Sequence, residues 1–239
     1  MNITLYIGYD SSNYGQELAY KVCERSVLKY NKNIKIVPLI KKELEERSIF
    51  NREDNTGSTE FTYTRFLVPY LNNYQGIALF CDSDFLWRYD ILDILKYYDK
   101  TYAVSCVQHE YNKCCNNLKM DGLKQEWYPR KNWSSLMLFN CEHNDCKNLS
   151  ICNINTKSPK WLHRMEWTTD IGQIPKTYNY LIGYYADIKE PNAVHFTDGG
   201  PWHSDWYQNN IPVDNKFGNE WINYLHERDK SYLFNLTLI

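Results

Sequence analysis

Residues 76–87, GIALFCDSDFLW, set five largely apolar residues, Ile77 to Cys81, ahead of Asp82, Ser83 and Asp84, and then return to Phe85, Leu86 and Trp87. A short apolar run of this kind is what a strand buried on both faces of a parallel sheet requires. In extended backbone, residues two apart share a face, so Asp82 and Asp84 can offer oxygens to one site while Ser83 points away. Two like charges that close repel. Unless one carboxyl stays protonated they need a cation, and hard divalent ions such as Mg2+ or Mn2+ bind oxygen ligands while keeping positions for phosphate. Asp and Ser are equally common in turns, so a turn closing the strand is the alternative reading of the same residues.

Outward from this stretch the pattern alternates. Ile3-TLYIGYD predicts a strand, and Asp10-SSN supplies turn and cap residues. Leu18, Ala19, Val22, Cys23, Ser26 and Val27 recur at three- and four-residue steps, which predicts a helix from Gly15 to Tyr30; strand-like Ile34-KIVPL follows. Glu60-FTYTRFLVPYL predicts a helix that Pro69 kinks or ends, Asp90-ILDILKYYD an amphipathic helix, and Tyr102-AVSCV another strand. Strands alternating with helices imply an α/β fold with a mainly parallel central sheet flanked by helices. Such sheets bind ligands at the carboxyl ends of their strands, where Asp10 and Asp82 both fall. Beyond residue 110 the alternation weakens. Ser134-SLMLFN and Asn192-AVHF still predict strands, and the Trp-, Asn- and Pro-rich segments between them predict loops. One domain spanning 1–239 is expected.

Composition removes other classes. Across 239 residues, 27 Lys and Arg against 29 Asp and Glu give a net charge of -2, so no basic field exists to hold a nucleic-acid backbone. The opening Met1-NITLYIGYD lacks the pattern of a secretory leader, and no stretch approaches the roughly 18 apolar residues of a membrane span. A soluble, cytoplasmic protein is the expectation. The eight cysteines, Cys114 and Cys115 among them, are expected to be mostly reduced. Cys141, His143, Cys146 and Cys152 lie close together, but CEHNDC has no zinc-site spacing, which favours buried small hydrophobes.

A second segment, residues 194–206, VHFTDGGPWHSDW, sets His195 in a strand-like run ahead of a glycine pair, Pro201 and Trp202. Imidazole suits transition metals better than Mg2+, so a His joining the two Asp favours Mn2+. By itself His195 also reads as a hydrogen-bonded strand-end residue. The glycines allow backbone N–H groups to approach a phosphate, and Trp202 offers a stacking wall for a sugar, while Gly-Pro is also a plain turn.

With these residues in view, the chain resembles the GT-A glycosyltransferases, in particular family 8 and its relatives in bacterial and viral surface-glycan synthesis. LYIGYDSSNY is similar to the family's nucleotide-binding opening, which implies Tyr9, Asp10 and Ser12 around base and ribose. FTYTRFLVPYL is similar to its threonine-x-x-arginine helix, which implies that Arg65 contacts the nucleotide. CDSD resembles the metal motif, implying Asp82 and Asp84 on the cation and Ser83 at the ribose, and HFTDGGPW implies His195 as the third metal ligand. The family places a lysine on the donor diphosphate just before its Pro-Trp; this chain has Gly200 there in a segment one residue shorter, leaving backbone amides, Lys131 or Arg130 to act instead. The segment YPRKNWSSLMLFN occupies the place of the family's donor and acceptor segment, implying Asn132, Ser134 and Ser135, and Thr168-TDIGQIP followed by Tyr178-NYL is similar to the family's acidic segment ahead of a Pro and Tyr-Asn, which nominates Asp170 as the carboxylate near the reacting sugar, with Glu166 as the alternative.

The resemblance implies a GT-A fold, with 1–107 as its nucleotide-binding half and 108–239 as its acceptor and donor-sugar half, and a metal-dependent transferase using Mn2+, or Mg2+, and a nucleoside-diphosphate sugar, a UDP-sugar first of all, with a glycan or other hydroxyl acceptor. Two competitors share the observations. Haloacid-dehalogenase-type phosphatases also end a strand in DxD, although near their N-terminus, whereas here a whole strand-helix-strand unit precedes Asp82. A catalytically inactive glycan-binding protein on the same fold is the other, and Gly200 is its best support.

Overall fold

The computed structural model describes residues 3–53, 57–110, 129–185, 188–208 and 215–236. Cys114, Cys115 and Tyr128 lie outside the described residues. Strands β1 (Thr4–Gly8), β2 (Lys35–Leu39), β3 (Ile77–Cys81), β5 (Val104–Val107), β6 (Leu136–Asn140) and β7 (Ile171–Ile174) form one sheet in the order β2-β1-β3-β6-β5-β7. β6 pairs antiparallel with β3 and β5, and the other pairings are parallel. β4 (Phe85–Trp87), β8 (Tyr180–Leu181) and β9 (Ala193–His195) form a smaller sheet in the order β4-β9-β8. The helices are α1 (Tyr14–Tyr30), α2 (Lys41–Glu46), α3 (Val68–Leu71), α4 (Ile151–Thr156), α5 (Pro159–His163), α6 (Asp205–Gln208), α7 (Asn215–Ile222) and α8 (Glu227–Leu236). No helix among the described residues is long and apolar enough to cross a membrane.

The alternation of β3 explains why the sheet is central. Ile77, Leu79 and Cys81 pack with Cys23 and Val27 of α1 on one face, while Ala78 and Phe80 pack with Phe66, Leu67 and Val68 on the other. Every β3 residue is therefore buried, as its unbroken apolar run requires. Helix α1 starts where Asn13 accepts the Gln16 N–H on its side chain, and it buries the predicted stripe from Leu18 to Val27. In β4, Phe85 and Trp87 join the core beneath the large sheet, whereas Leu86 faces a third cluster with Val194, Phe196, Trp202, Phe217 and Trp221.

Two predicted helices take a tighter form. Residues Thr64–Leu67 are a 3-10 turn that runs into α3, with Pro69 at the start of that helix, where its missing N–H costs nothing. Ile91–Tyr97 is also 3-10, capped by the Asp90 carboxylate on the Leu92 N–H.

Candidate active site

The Asp82 to Asp84 stretch is a turn between β3 and β4, not extended backbone, and it still gathers its carboxylates. The turn reading therefore holds, and the expectation of extended backbone from Asp82 to Asp84 is corrected. The register does the gathering. The last residue of β3, Cys81, opposes Leu136 of β6, and the Asp82 N–H donates to the Ser135 carbonyl at 2.9 Å. Immediately after the turn, β4 pairs with β9 so that Phe85 opposes His195, the two rings stacked 4.5 Å apart. The Phe196 N–H closes the corner on the Asp84 carbonyl at 3.0 Å. His195 Nε2 consequently stands 3.2 Å from Asp84 Oδ1, and ligand atoms of Asp82, Asp84 and His195 all fall within 4.8 Å of one another. Two carboxylate oxygens and one imidazole nitrogen fit a divalent transition ion such as Mn2+ better than Mg2+.

One of the two carboxylates at this turn has a cationic partner within the protein. Arg65 Nη1 lies 2.9 Å from Asp82 Oδ1 and also donates to the Ser134 carbonyl at 3.0 Å, while Nε donates to the Phe61 carbonyl. Its guanidinium lies over the rings of Phe61 and Phe80. Arg65 is only 6 % exposed: protein groups hold it, and its charge offsets Asp82.

The turn 132–135 connects these parts. Asn132 donates to Thr197 Oγ1 at 3.0 Å, Ser134 receives Arg65, and Ser135 receives Asp82 on its carbonyl and Asn179 on its hydroxyl. Asn132, Ser134 and Ser135 therefore lie at the site, the two serines buried and serving its frame. Lys131 is half-buried between two residues of left-handed backbone, Arg130 at φ 63° and Asn132 at φ 61°. Arg130 itself donates to the Arg164 carbonyl and lies over Trp133.

On the same carboxyl edge, past the end of β1, Asp10 is buried and accepts the Ser12 N–H at 2.9 Å and the Glu60 N–H at 3.3 Å. Glu60 in turn accepts from Ser11, so the loop is tied at both ends. Tyr9 is half-buried against Tyr20, and Ser12 is exposed.

Three other expectations are corrected by packing. Ser83 is fully buried, with a hydroxyl that meets no hydrogen-bond partner among the described residues, so it does not face an open ribose site. Trp202 is 4 % exposed and packed on Phe196 and Trp221, which makes it core and not a stacking wall for a sugar. The same indole explains Gly200, since a Cβ there would come within 2.3 Å of the Trp202 ring; a lysine at this position has no room. Asp170 precedes β7, whose first residue pairs with the first residue of β5, and its carbonyl accepts the Ala103 N–H. It thus stands on the amino edge of the sheet, a strand length or roughly 13 Å from the carboxyl edge. There it lies 3.4 Å from His143 Nε2, far from the carboxylate pair, and Glu166 is exposed nearby.

His109 had no part in the sequence reading, and Asn179 entered it only as the Asn of Tyr178-NYL, with no role given. His109, just past β5, is 5 % exposed and bonds Tyr185 through Nδ1 at 2.6 Å. Burial pushes its ring down to about 3, with His195 and Lys176 adding to the effect. Asn179 is fully buried and lies 2.8 Å from His195 Nδ1. No local pattern marks His109, and Tyr178-NYL does not tell what Asn179 bonds, because tertiary pairing brings both to the site.

No protein-family model matches the chain. Protein CDI of Arabidopsis thaliana is 40 % identical over 235 residues, covering 95 % of this chain and 87 % of that protein. Among solved structures, the apo bifunctional glycosyltransferase WbbM superposes with a TM-score of 0.63 at 14 % identity, covering 99 % of this chain and 52 % of that one. This chain therefore spans about half of WbbM. The galactosyltransferase LgtC, solved in complex with donor and acceptor sugar analogs, gives a TM-score of 0.55 at 12 % identity, covering 97 % of this chain and all of that one. The fold is that of the GT-A glycosyltransferases.

Proposed function

This chain belongs to the family of Arabidopsis thaliana Protein CDI, and from that premise, joined to its GT-A fold, we propose that it is a metal-dependent glycosyltransferase. It moves a sugar from a nucleoside-diphosphate donor, a UDP-sugar first of all, to a hydroxyl on a glycan or other acceptor. The observation that carries the reading is the convergence of Asp82, Asp84 and His195 within 4.8 Å at the carboxyl edge of the sheet. When bound there, a divalent cation such as Mn2+ supplies the positive charge that stabilises the diphosphate leaving group.

The chain's own residues do the rest. Asp10 holds the loop after β1 closed, so that Tyr9 and Ser12 border the base and ribose. Arg65 sets its charge against Asp82 and holds that carboxylate in place. Trp202 leaves no room for a lysine at Gly200, and Lys131 is assigned to the diphosphate in its place because it directly precedes Asn132 in the turn that Asn132 and Ser134 hold beside the carboxylates. Residues 1–107 supply the nucleotide half and 108–239 the sugar half. Asp170 has no part in the reaction.

The test is slow hydrolysis of a panel of nucleotide sugars with Mn2+ and no acceptor, read as released nucleoside diphosphate. Asp82→Asn is expected to lower that rate by about 10²–10³-fold with the fold intact. Near-normal release in that variant overturns the proposal. The missing lysine at Gly200 favours one other reading, a glycan- or nucleotide-binding protein without turnover. Mn2+-dependent thermal stabilisation by a nucleotide sugar, with neither hydrolysis nor transfer, would establish that reading instead.

A further inference from the structure

We infer that Asn179 is a positioning residue that fixes the proton of His195 on Nδ1 and so reserves Nε2 as a donor to the cation. This rests on the metal reading of Asp82, Asp84 and His195. The chain of bonds settles the orientation of each group in turn. The Ser135 hydroxyl lies 2.7 Å from the Asn132 carbonyl, and since a carbonyl only accepts, the hydroxyl proton points there. The hydroxyl oxygen must then accept from its other neighbour, the Asn179 amide at 2.8 Å, which places the NH2 group on the Ser135 side. The amide oxygen is left facing His195 Nδ1 at 2.8 Å, and that nitrogen must donate. All three side chains are buried, Ser135 and His195 each 2 % exposed and Asn179 not at all, so water does not offer an alternative partner.

The consequence appears at the other ring nitrogen. With the proton on Nδ1, the neutral ring turns the Nε2 lone pair toward Asp84 Oδ1, 3.2 Å away. A lone pair facing a carboxylate is an unfavourable contact that a shared cation turns into a ligand set.

A second histidine supplies the contrast. His143, with Asp145 and Asp170, forms the other cluster of metal-ligating groups among the described residues. There the Asp145 N–H donates to Nδ1 at 3.2 Å, so the neutral ring carries its proton on Nε2, facing Asp170 Oδ2 at 3.4 Å. That N–H faces the carboxylate and leaves no lone pair for an ion. Two His–Asp contacts of similar length therefore differ in chemistry, and the difference is set by the group on the far side of each ring.

Two readouts besides turnover test the assignment: the 15N spectrum of the neutral His195 ring in metal-free protein, and Mn2+ affinity followed by the paramagnetic resonance of free Mn2+. His195 is one of six histidines, so its signals are identified by their loss in His195→Gln. Wild type is expected to show the Nδ1–H form. Asn179→Leu, of similar volume but with no acceptor, is expected to lose that form and to weaken Mn2+ binding by about 10–100-fold. Asn179→Asp, which keeps an oxygen toward His195, is expected to restore both. An Nε2–H form in wild type, or unchanged Mn2+ affinity in folded Asn179→Leu, overturns the inference. If Asn179→Leu does not fold, Ser135→Ala carries the test, because it frees the amide to flip: a mixture of ring forms with weaker binding supports the relay, and an unchanged spectrum and affinity overturn it. Wild type that shows the Nδ1–H form but binds no Mn2+ supports the relay and overturns the metal reading.

Discussion

His109 shows how a single buried group sets the pH range of this protein. In the unfolded chain its ring takes up a proton near pH 6.5, whereas burial among Tyr185, Trp133 and the site holds it neutral in the folded chain down to about 3. Below pH 6.5 the unfolded state therefore binds the extra proton, and stability is expected to fall as the pH drops, by about 1.4 kcal/mol per pH unit at full slope, levelling off near the folded value. His109→Gln, which keeps a partner for Tyr185 and does not titrate, should lose this part of the acid limb in urea melts between pH 6.5 and 4; parallel curves for the two proteins would refute the assignment. Legibility in sequence divides at this same scale. Asp82 and Asp84 could be picked out because charge interrupts an apolar run, and His195 because it closes one. The roles of Arg65, Trp202 and Asp170 could not be read, since each is decided by partners distant in sequence: Asp82 and Ser134 for Arg65, Phe196 and Trp221 for Trp202, and the register of β7 on β5 for Asp170.

The turn 132–135 ties residues from four elements into one frame. It accepts from Asp82 at the end of β3, from Arg65 of the 3-10 turn and from Asn179 before β8, and it donates to Thr197 beyond β9. Its shape depends on Asn132 at φ 61°, a left-handed conformation that Asn and Gly tolerate and other residues resist. Asn132→Gly and Asn132→Ala both remove the bond to Thr197, at a cost of about 1 kcal/mol, but Ala adds the left-handed penalty of roughly 1–2 kcal/mol. Urea denaturation should thus place Ala below Gly, and equal midpoints would show that the backbone shape is not what Asn132 provides. Elements with long patterns were legible in sequence: β1, α1, β2 and β3 follow their apolar periods. β7 was not, because four residues with exposed Gln173 carry too little pattern to separate a strand from a loop. The segment before α3 came out as 3-10 because periodicity marks which face is buried and does not distinguish the tightness of the turn.

Across the whole molecule, the metal-ligating histidine is only as fixed as the layer behind it. β9 holds His195 toward the site while its neighbours Val194 and Phe196 face the third core cluster, built from Leu18 and Val22 of α1, Trp202, and Phe217 and Trp221 of α7. Helix α8 is fastened over this cluster by Asp229, which accepts from Tyr14 at 2.8 Å and faces Arg25 at 3.8 Å, while Arg25 also donates to the Tyr224 carbonyl. Trp221 is fully buried, with its ring centroid 5.3 Å from that of Trp202. Trp221→Ala is expected to cost about 3–5 kcal/mol through lost burial and the cavity left behind. Because that cavity opens under β9, the same variant should also weaken Mn2+ binding. Ile154→Ala, which opens a cavity in the core cluster on the other face of the large sheet, should lose about 2–5 kcal/mol and leave Mn2+ affinity unchanged. Paired urea melts and Mn2+ titrations separate the two: equal loss of affinity in both variants would mean that binding tracks global stability, whereas loss confined to Trp221→Ala means that the third cluster is the backing of the site.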